Sequence, residues 1–348
     1  MDFSKKELIP KIAQMLIIGF LGENLTANDQ FAEELMEFSP GGVVLFNRPS
    51  NQEYSNIINP RQLLNLTHKI KKYSKISPFI AVDQEGGKVA RLNPKTGFSS
   101  SKSARYIGNK NDLSTTEKWA ENIASDLKKA GINLNFAPVI DLDQYSSSPA
   151  IGLHDRSFSQ SDEVVIKHAQ VFCNAMKKKK IYCCLKHFPG HGSASIDSHL
   201  GFTDITSSWQ QKELEPYKRL CRNHAGDLVM VAHVFHRDFD QKYPASLSKI
   251  IIGNLLKTEL DCDYPVITDD LQMRAITDHF SLKETIRLAV LAGNDLLLFA
   301  NSKPDNYLSV TKFISLMLEL VNSGDIPVSM IDQSYQRIKN LKSKFIDT

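Results

Sequence analysis

The strongest constraint in this 348-residue sequence is a rhythm of eight short apolar runs, each separated from the next by a stretch with helical signatures. The runs are Met15–Phe20, Gly42–Asn47, Phe79–Gln84, Asn133–Val139, Ile181–His187, Leu228–His233, Pro265–Asp270 and Asp295–Ala300. Most are continuous rather than alternating, as strands buried on both faces read. Between them, Ser114-x-x-Glu117 reads as a capping box followed by a Trp119, Ile123, Leu127 stripe, with Gly131 as the stop. Ser281-x-x-Glu284 repeats the device ahead of Leu288, Leu291 and Gly293, Asp162 and Glu163 open a segment to Met176, and Ser208-x-x-Gln211 opens another. Helices are also expected over 62–73, 246–260 and 307–321, and in the charged run after Ser329. Eight strands each followed by a helix or long connection predict an α/β chain folded as a single (β/α)8 TIM-type barrel with insertions, spanning 1–348. A doubly wound open sheet is the rival, but no Gly-x-Gly-x-x-Gly follows a strand and no linker or composition shift marks a second domain.

Bulk properties narrow the partners. A net charge of +3 with a pI near 8.4 gives no nucleic-acid signature. The Lys177–Lys180 run reads as the last turn of a helix, where cations meet the negative end of the dipole. No stretch approaches the ~20 apolar residues of a membrane span, and the amino-terminal residues lack the basic, apolar, small-residue order of a secretory signal. Five cysteines, an odd count with Cys183 and Cys184 adjacent, argue against a disulfide framework and suit a reducing compartment. The expectation is a cytoplasmic monomer.

In a parallel barrel the chemistry gathers at the carboxyl ends of the strands. Here strand three ends in Asp83-Gln84-Glu85-Gly86-Gly87 with Arg91 following, and strand four in Pro138 and Asp141. Strand five ends in Lys186-His187, strand six in His233, and strand seven in Thr268-Asp269-Asp270. After His187, Pro189, Gly190 and Gly192 forbid a regular helix and open a small-residue loop that ends in Asp197-Ser198-His199. That stretch reads as a catalytic strand end followed by a mobile flap. Of Asp269 and Asp270, alternation turns only one toward the mouth, and the bare pattern leaves the choice open. A fixed carboxylate combined with a mobile proton-transfer group fits glycoside cleavage. A metal site is disfavoured: His187 and His191 have the right spacing only in a helix, and no Cys-x-x-Cys, His-Glu-x-x-His or strand-one His-x-His is present.

Lys186-His187-Phe188-Pro189-Gly190-His191-Gly192 with Asp197-Ser198-His199 resembles the signature of glycoside hydrolase family 3, in its bacterial β-N-acetylglucosaminidase branch. Asp83-Gln84-Glu85-Gly86-Gly87-Lys88-Val89 with Arg91, Thr268 to Met273, Gly41 to Phe46, and Arg156-Ser157-Phe158 are similar to further motifs of that branch. Lys88 and Thr268 stand where arginine and serine are more usual. The resemblance implies Asp269 as nucleophile, His199 as acid/base and Asp197 as the residue that orients it. It implies Asp83, Arg91, Arg156, Lys186 and His187 as ligands of the sugar, with no metal and no organic cofactor. The implied activity is retaining exo-hydrolysis of terminal N-acetylglucosamine from peptidoglycan-derived muropeptides, through a covalent glycosyl-enzyme. The partner is therefore a carbohydrate, with no nucleic acid and no membrane. Two alternatives stand beside it. A phosphorylase is one, because a histidine tolerates an incoming phosphate better than a carboxylate does. A catalytically inactive sugar-binding protein is the other.

Overall fold

The computed structural model describes residues 5–48, 52–195 and 201–345. All eight expected strands form, as β1 (Leu16–Gly19), β2 (Gly42–Val44), β3 (Phe79–Val82), β4 (Leu134–Asn135), β5 (Tyr182–Phe188), β6 (Leu228–Val231), β7 (Val266–Thr268) and β8 (Leu297–Phe299). They make one parallel sheet in which each strand pairs with its neighbours in the chain, and β1 returns to pair with β8. Ile267 bridges to Leu296 in parallel, which joins β7 to β8 and completes the ring. The result is a TIM barrel. Every core strand residue is buried, because the ring packs side chains inside and helices outside. The barrel is thus built from the near-continuous Val, Ile and Leu runs that first marked the strands.

Helices follow in the expected places, at Pro60–Tyr73, Leu113–Lys129, Asp162–Lys178, Glu215–Arg222, Leu282–Ala292, Val310–Asn322 and Val328–Lys342, and Gln30–Phe38 is a further one that the start and stop signals did not mark. The segment Ile250–Glu259 is helical with π geometry. Some helix starts differ from the sequence reading. The cap of Leu113–Lys129 is Asp112, whose carboxylate accepts the Ser114 and Thr115 N–H groups, so Ser114 lies inside the helix rather than at its cap. Likewise Gln210, not Ser208, caps the short turn Gln211–Leu214. Ser281 does cap Leu282–Ala292, accepting the Glu284 N–H, and Gly293 closes it at φ 102°. No described helix is long and apolar enough to cross a membrane.

The cysteine reading needs correction. Cys221 and Cys262 are joined by a disulfide, their Cα atoms 5.4 Å apart, while Cys173, Cys183 and Cys184 are buried and free. The two partners lie 41 residues apart and meet only because neighbouring βα units pack side by side, which an odd count and an adjacent pair do not reveal. Cysteine usage therefore no longer argues for a reducing compartment.

One local device carries the architecture into the site. Past the end of the β3–β4 ladder, the Asn135 side chain takes over from the backbone. Its Oδ1 accepts the Gln84 N–H at 3.0 Å and its Nδ2 donates to the Gln84 carbonyl at 3.0 Å. Gln84 in turn pins Leu92, donating to its carbonyl and accepting its N–H, both at 2.9 Å. Two amide side chains thus hold the loop that carries Asp83, Glu85 and Arg91. Asn135→Ala should strand both backbone groups of Gln84 in the interior, at about 1–3 kcal/mol each. Equilibrium urea unfolding should show that loss; an unchanged midpoint would mean that water replaces the amide.

Candidate active site

The ladder between β5 and β6 shifts register between Lys186 and Phe188, so consecutive residues Lys186 and His187 both line the same cavity. Strict alternation would have sent one of them outward. The cavity has a volume of about 850 Å³ and opens at the carboxyl ends of the strands. Asp83, Arg91, Arg156, Lys186, His187 and Asp269 all line it, so six residues singled out from sequence converge. Asp197 and His199 lie outside the described residues.

The floor is a chain of alternating charges. Arg91 donates to Asp83 Oδ2 at 3.1 Å, and the Lys186 ammonium donates to Asp83 Oδ1 at 2.8 Å and reaches Glu85 Oε1 at 2.7 Å. Glu85 then takes a two-pronged grip from Arg156, Nη2 on Oε1 at 2.7 Å and Nε on Oε2 at 2.8 Å. Lys186 is 2% exposed, which is tolerable for an ammonium only because two carboxylates meet it. Burial pushes the Asp83 carboxyl up, but the charges of Lys186 and Arg91 outweigh it and hold the group well below the usual range. For Glu85 burial again pushes upward, while Arg156 and Lys186 bring it from 4.5 down to about 2. Burial alone would lower Lys186, and the two carboxylates reverse that and raise it.

Arg156 Nη2 also faces His187 Nε2 at 3.1 Å, and His187 Nδ1 lies 2.7 Å from Asp141 Oδ2. A guanidinium only donates and a carboxylate only accepts, so Nδ1 carries the proton and Nε2 presents its lone pair. Asp141 additionally accepts the backbone N–H groups of His187, at 3.2 Å, and of His191, at 2.9 Å. Burial would raise Asp141, but His187 and the other donors lower it. Asp141 and Glu85 do not line the cavity; they stand behind the residues that do.

On β7 both aspartates reach the cavity, and their partners tell them apart. Asp270 Oδ1 accepts the Ala300 N–H at 3.0 Å and the Gln272 N–H at 3.1 Å, and its carbonyl meets His233 Nε2 at 2.9 Å. It is therefore a turn-holding residue, whereas Asp269 Oδ1 accepts the neighbouring Asp270 N–H at 2.8 Å. His233, expected at the mouth, instead anchors that turn from behind, with Nδ1 against Ser246 Oγ at 2.7 Å.

The sequence reading gave no role to Glu85, although it stands two residues from Asp83 and hence on the same side of an extended chain. Asp141 was visible as a polar strand end but not as the partner of His187. Arg48, which follows the second apolar run, was not singled out at all. Its guanidinium lies 4.9 Å from the Phe46 ring centre while Arg91 lies 5.3 Å from it, and it donates to the Tyr54 carbonyl at 2.6 Å. Burial, then the Arg91 charge, lowers Arg48 to about 10. Arg48, Lys88 and Lys303 give the cavity a cationic rim.

Glu85→Gln should leave Arg156 and Lys186 short of a counter-charge in the interior, at about 3 kcal/mol near neutral pH. Because folding depresses the Glu85 carboxyl from 4.5 to about 2, its contribution is complete above 4.5 and lost as pH falls toward 2. The stability gap between wild type and Glu85→Gln should therefore close on acidification, as denaturant titrations at neutral and acid pH will read. A gap that persists in acid would mean that the amide's geometry, not the lost charge, sets the cost.

Three comparisons bear on this geometry. Residues 8–341 match the model of the glycosyl hydrolase family 3 N-terminal domain. Among curated relatives, a protein named beta-hexosaminidase from Neisseria meningitidis serogroup C is 34% identical over 281 residues, covering 78% of this chain and 74% of its own length. Beta-hexosaminidase A of Pseudoalteromonas piscicida is 29% identical over 92% of this chain, which spans only 56% of that relative's length. Among solved structures, a family 3 β-N-acetylglucosaminidase from Paenibacillus sp. str. FPU-7 superposes with a TM-score of 0.86 at 30% identity, over 97% of this chain and 62% of that one. A barrel with this floor, matched by the family model over almost its whole length, belongs to glycosyl hydrolase family 3 through that family's N-terminal domain.

Proposed function

We propose that the protein is a retaining exo-β-N-acetylglucosaminidase that removes terminal N-acetylglucosamine from peptidoglycan-derived fragments. The observation that carries this reading is the convergence of Asp83, Arg91, Arg156, Lys186, His187 and Asp269 on one open cavity. A sugar ring displays hydroxyls on several sides, and a floor of fixed donors and acceptors suits it better than an apolar slot would. Names of the relatives, beta-hexosaminidase and β-N-acetylglucosaminidase, point the same way. The cationic rim of Arg48, Lys88 and Lys303 suits an aglycone that carries carboxylates.

In the proposed reaction an Asp269 carboxylate oxygen attacks the anomeric carbon as the glycosidic C–O bond breaks. The leaving oxygen takes a proton from His199, which Asp197 orients. Water then attacks the glycosyl-enzyme ester, returning its proton to His199 and releasing the sugar with its configuration retained. Lys186 and Arg156, held in place through Glu85, offer fixed donors to the hydroxyls of the −1 sugar and keep the ring oriented as it reacts.

Asp269→Ala should abolish turnover of an aryl N-acetyl-β-glucosaminide with folding intact, and Asp270→Ala should retain more activity if it folds. The opposite ranking would overturn the assignment. N-acetylglucosaminide should be cleaved far faster than plain glucoside; equal rates would remove the branch and leave only the family. His199→Ala should harm a natural disaccharide much more than an activated aryl glycoside, because the proton matters less as the leaving group becomes more acidic. Adding inorganic phosphate and analysing the product for a sugar 1-phosphate tests the phosphorylase alternative.

A further inference from the structure

Glu213 is a buried acid that the reaction above does not use. It lies in the short turn Gln211–Leu214 that follows the catalytic loop in the chain, and it is 1% exposed. One oxygen is committed locally, since Oε1 accepts the Gln210 N–H at 3.2 Å and closes the capping box of that turn. The other oxygen points at the loop beyond β5. Oε2 sits so close to Gly190 that a Cβ there would come within 2.6 Å of it. The Ser193 hydroxyl, also buried, lies against the carboxyl, and among the described residues neither Ser193 Oγ nor Glu213 Oε2 has any other partner. Gly192 in the same turn leaves no room for a side chain, since a Cβ there would fall 1.7 Å from the Leu142 carbonyl.

That turn connects to the site directly. The Gly190 N–H donates to the His187 carbonyl at 2.9 Å, and the His191 N–H donates to Asp141 Oδ1 at 2.9 Å. Asp141 in turn holds His187 Nδ1. Trp209, just ahead of Glu213, donates its indole N–H to the Pro189 carbonyl at 3.1 Å, so this segment holds the turn from its far side. We propose that Glu213 is a positioning residue that seats the Gly190–Ser193 turn, and through it the Asp141–His187 pair, in the sugar cavity. The catalytic consequence rests on the glycosidase reading above.

Charge decides how the seat behaves. Asp141 faces Glu213 from the strand-four side, His191 belongs to the turn above, and Lys212 and Tyr217 flank it on its own segment. Burial, reinforced by the Asp141 carboxylate, raises Glu213 from 4.5 to about 7, while Ser193, the Gln210 N–H and Lys212 oppose the rise. Uncharged, Glu213 packs against Gly190 and Ser193 without adding a charge to the interior. Ionised, it sets a second buried negative charge against Asp141, the residue that fixes His187. A raised carboxyl holds its proton in the folded state, so its contribution falls as pH rises from 4.5 through about 7.

The test compares wild type, Glu213→Gln and Ser193→Ala. Two readouts serve: kcat/KM on an aryl N-acetyl-β-glucosaminide, and the downfield Nδ1 proton resonance of His187. Glu213→Gln mimics the protonated acid. It should match wild type at about pH 6 and retain several-fold more of its activity at about pH 8.5. The His187 resonance should move with pH in wild type, near the Glu213 midpoint, and stay put in Glu213→Gln. Ser193→Ala removes a group that favours the carboxylate, so its transition should shift to higher pH. Superimposable wild-type and Glu213→Gln profiles would overturn the proposal. If no β-N-acetylglucosaminide is cleaved at all, the glycosidase reading fails by itself. The His187 resonance then still decides the seating role: pH-dependent in wild type only, it stands, and identical in both proteins, it falls.

Discussion

The Lys186 ammonium is the contact on which the rest of the site depends. Water is excluded from it, so its charge must be met from within, and the two carboxylates that meet it come from another strand end. Each of those carboxylates then needs, and has, an arginine on its far side. Desolvation and attraction are both large here, and attraction wins because each carboxylate facing Lys186 is also held by a second donor. The floor therefore forms as a unit, with Arg156 handing the series on to His187 and Asp141.

Why the barrel, rather than a loop cluster, can hold such a unit follows from the ladder itself. A parallel strand offers one inward side chain in two, and the register shift after Lys186 supplies a second neighbouring residue at the same depth. The side chains of Asn135 and Gln84 extend that ladder beyond the last backbone pair. Charge, bulge and amide relay are thus three solutions to one problem, which is to keep polar groups fixed where water is scarce.

Much of this was legible in the residues because burying a strand on both faces demands a continuous apolar run, and each run breaks off where chemistry begins. Lys186 after Cys183-Cys184-Leu185 and Asp269 after Val266-Ile267-Thr268 are such breaks. Partnerships were far less legible. Glu85 and Arg156 stand 71 residues apart, and His187 and Asp141 stand 46 apart, so nothing local links them. The misread caps have a different cause: Asp112 and Ser114 are both good caps by type, and only the path of the preceding chain decides between them. Nothing in the stretch Gln211-Lys212-Glu213 marks Glu213 in the sequence, and only packing shows it facing inward.

The cationic rim has a different standing from the floor. Arg48, Lys88 and Lys303 reach the cavity from separate connections, and the first two are anchored through backbone carbonyls or a ring face rather than through one another. A change at one need not unbalance the next. On the proposed reading, natural drift and laboratory selection can therefore explore new leaving groups at the rim while the floor keeps its sugar. Contacts that stand singly at the rim can change one at a time, whereas those of the floor are bound to one another, and the Phe46 ring, shared by Arg48 and Arg91, is where the two meet.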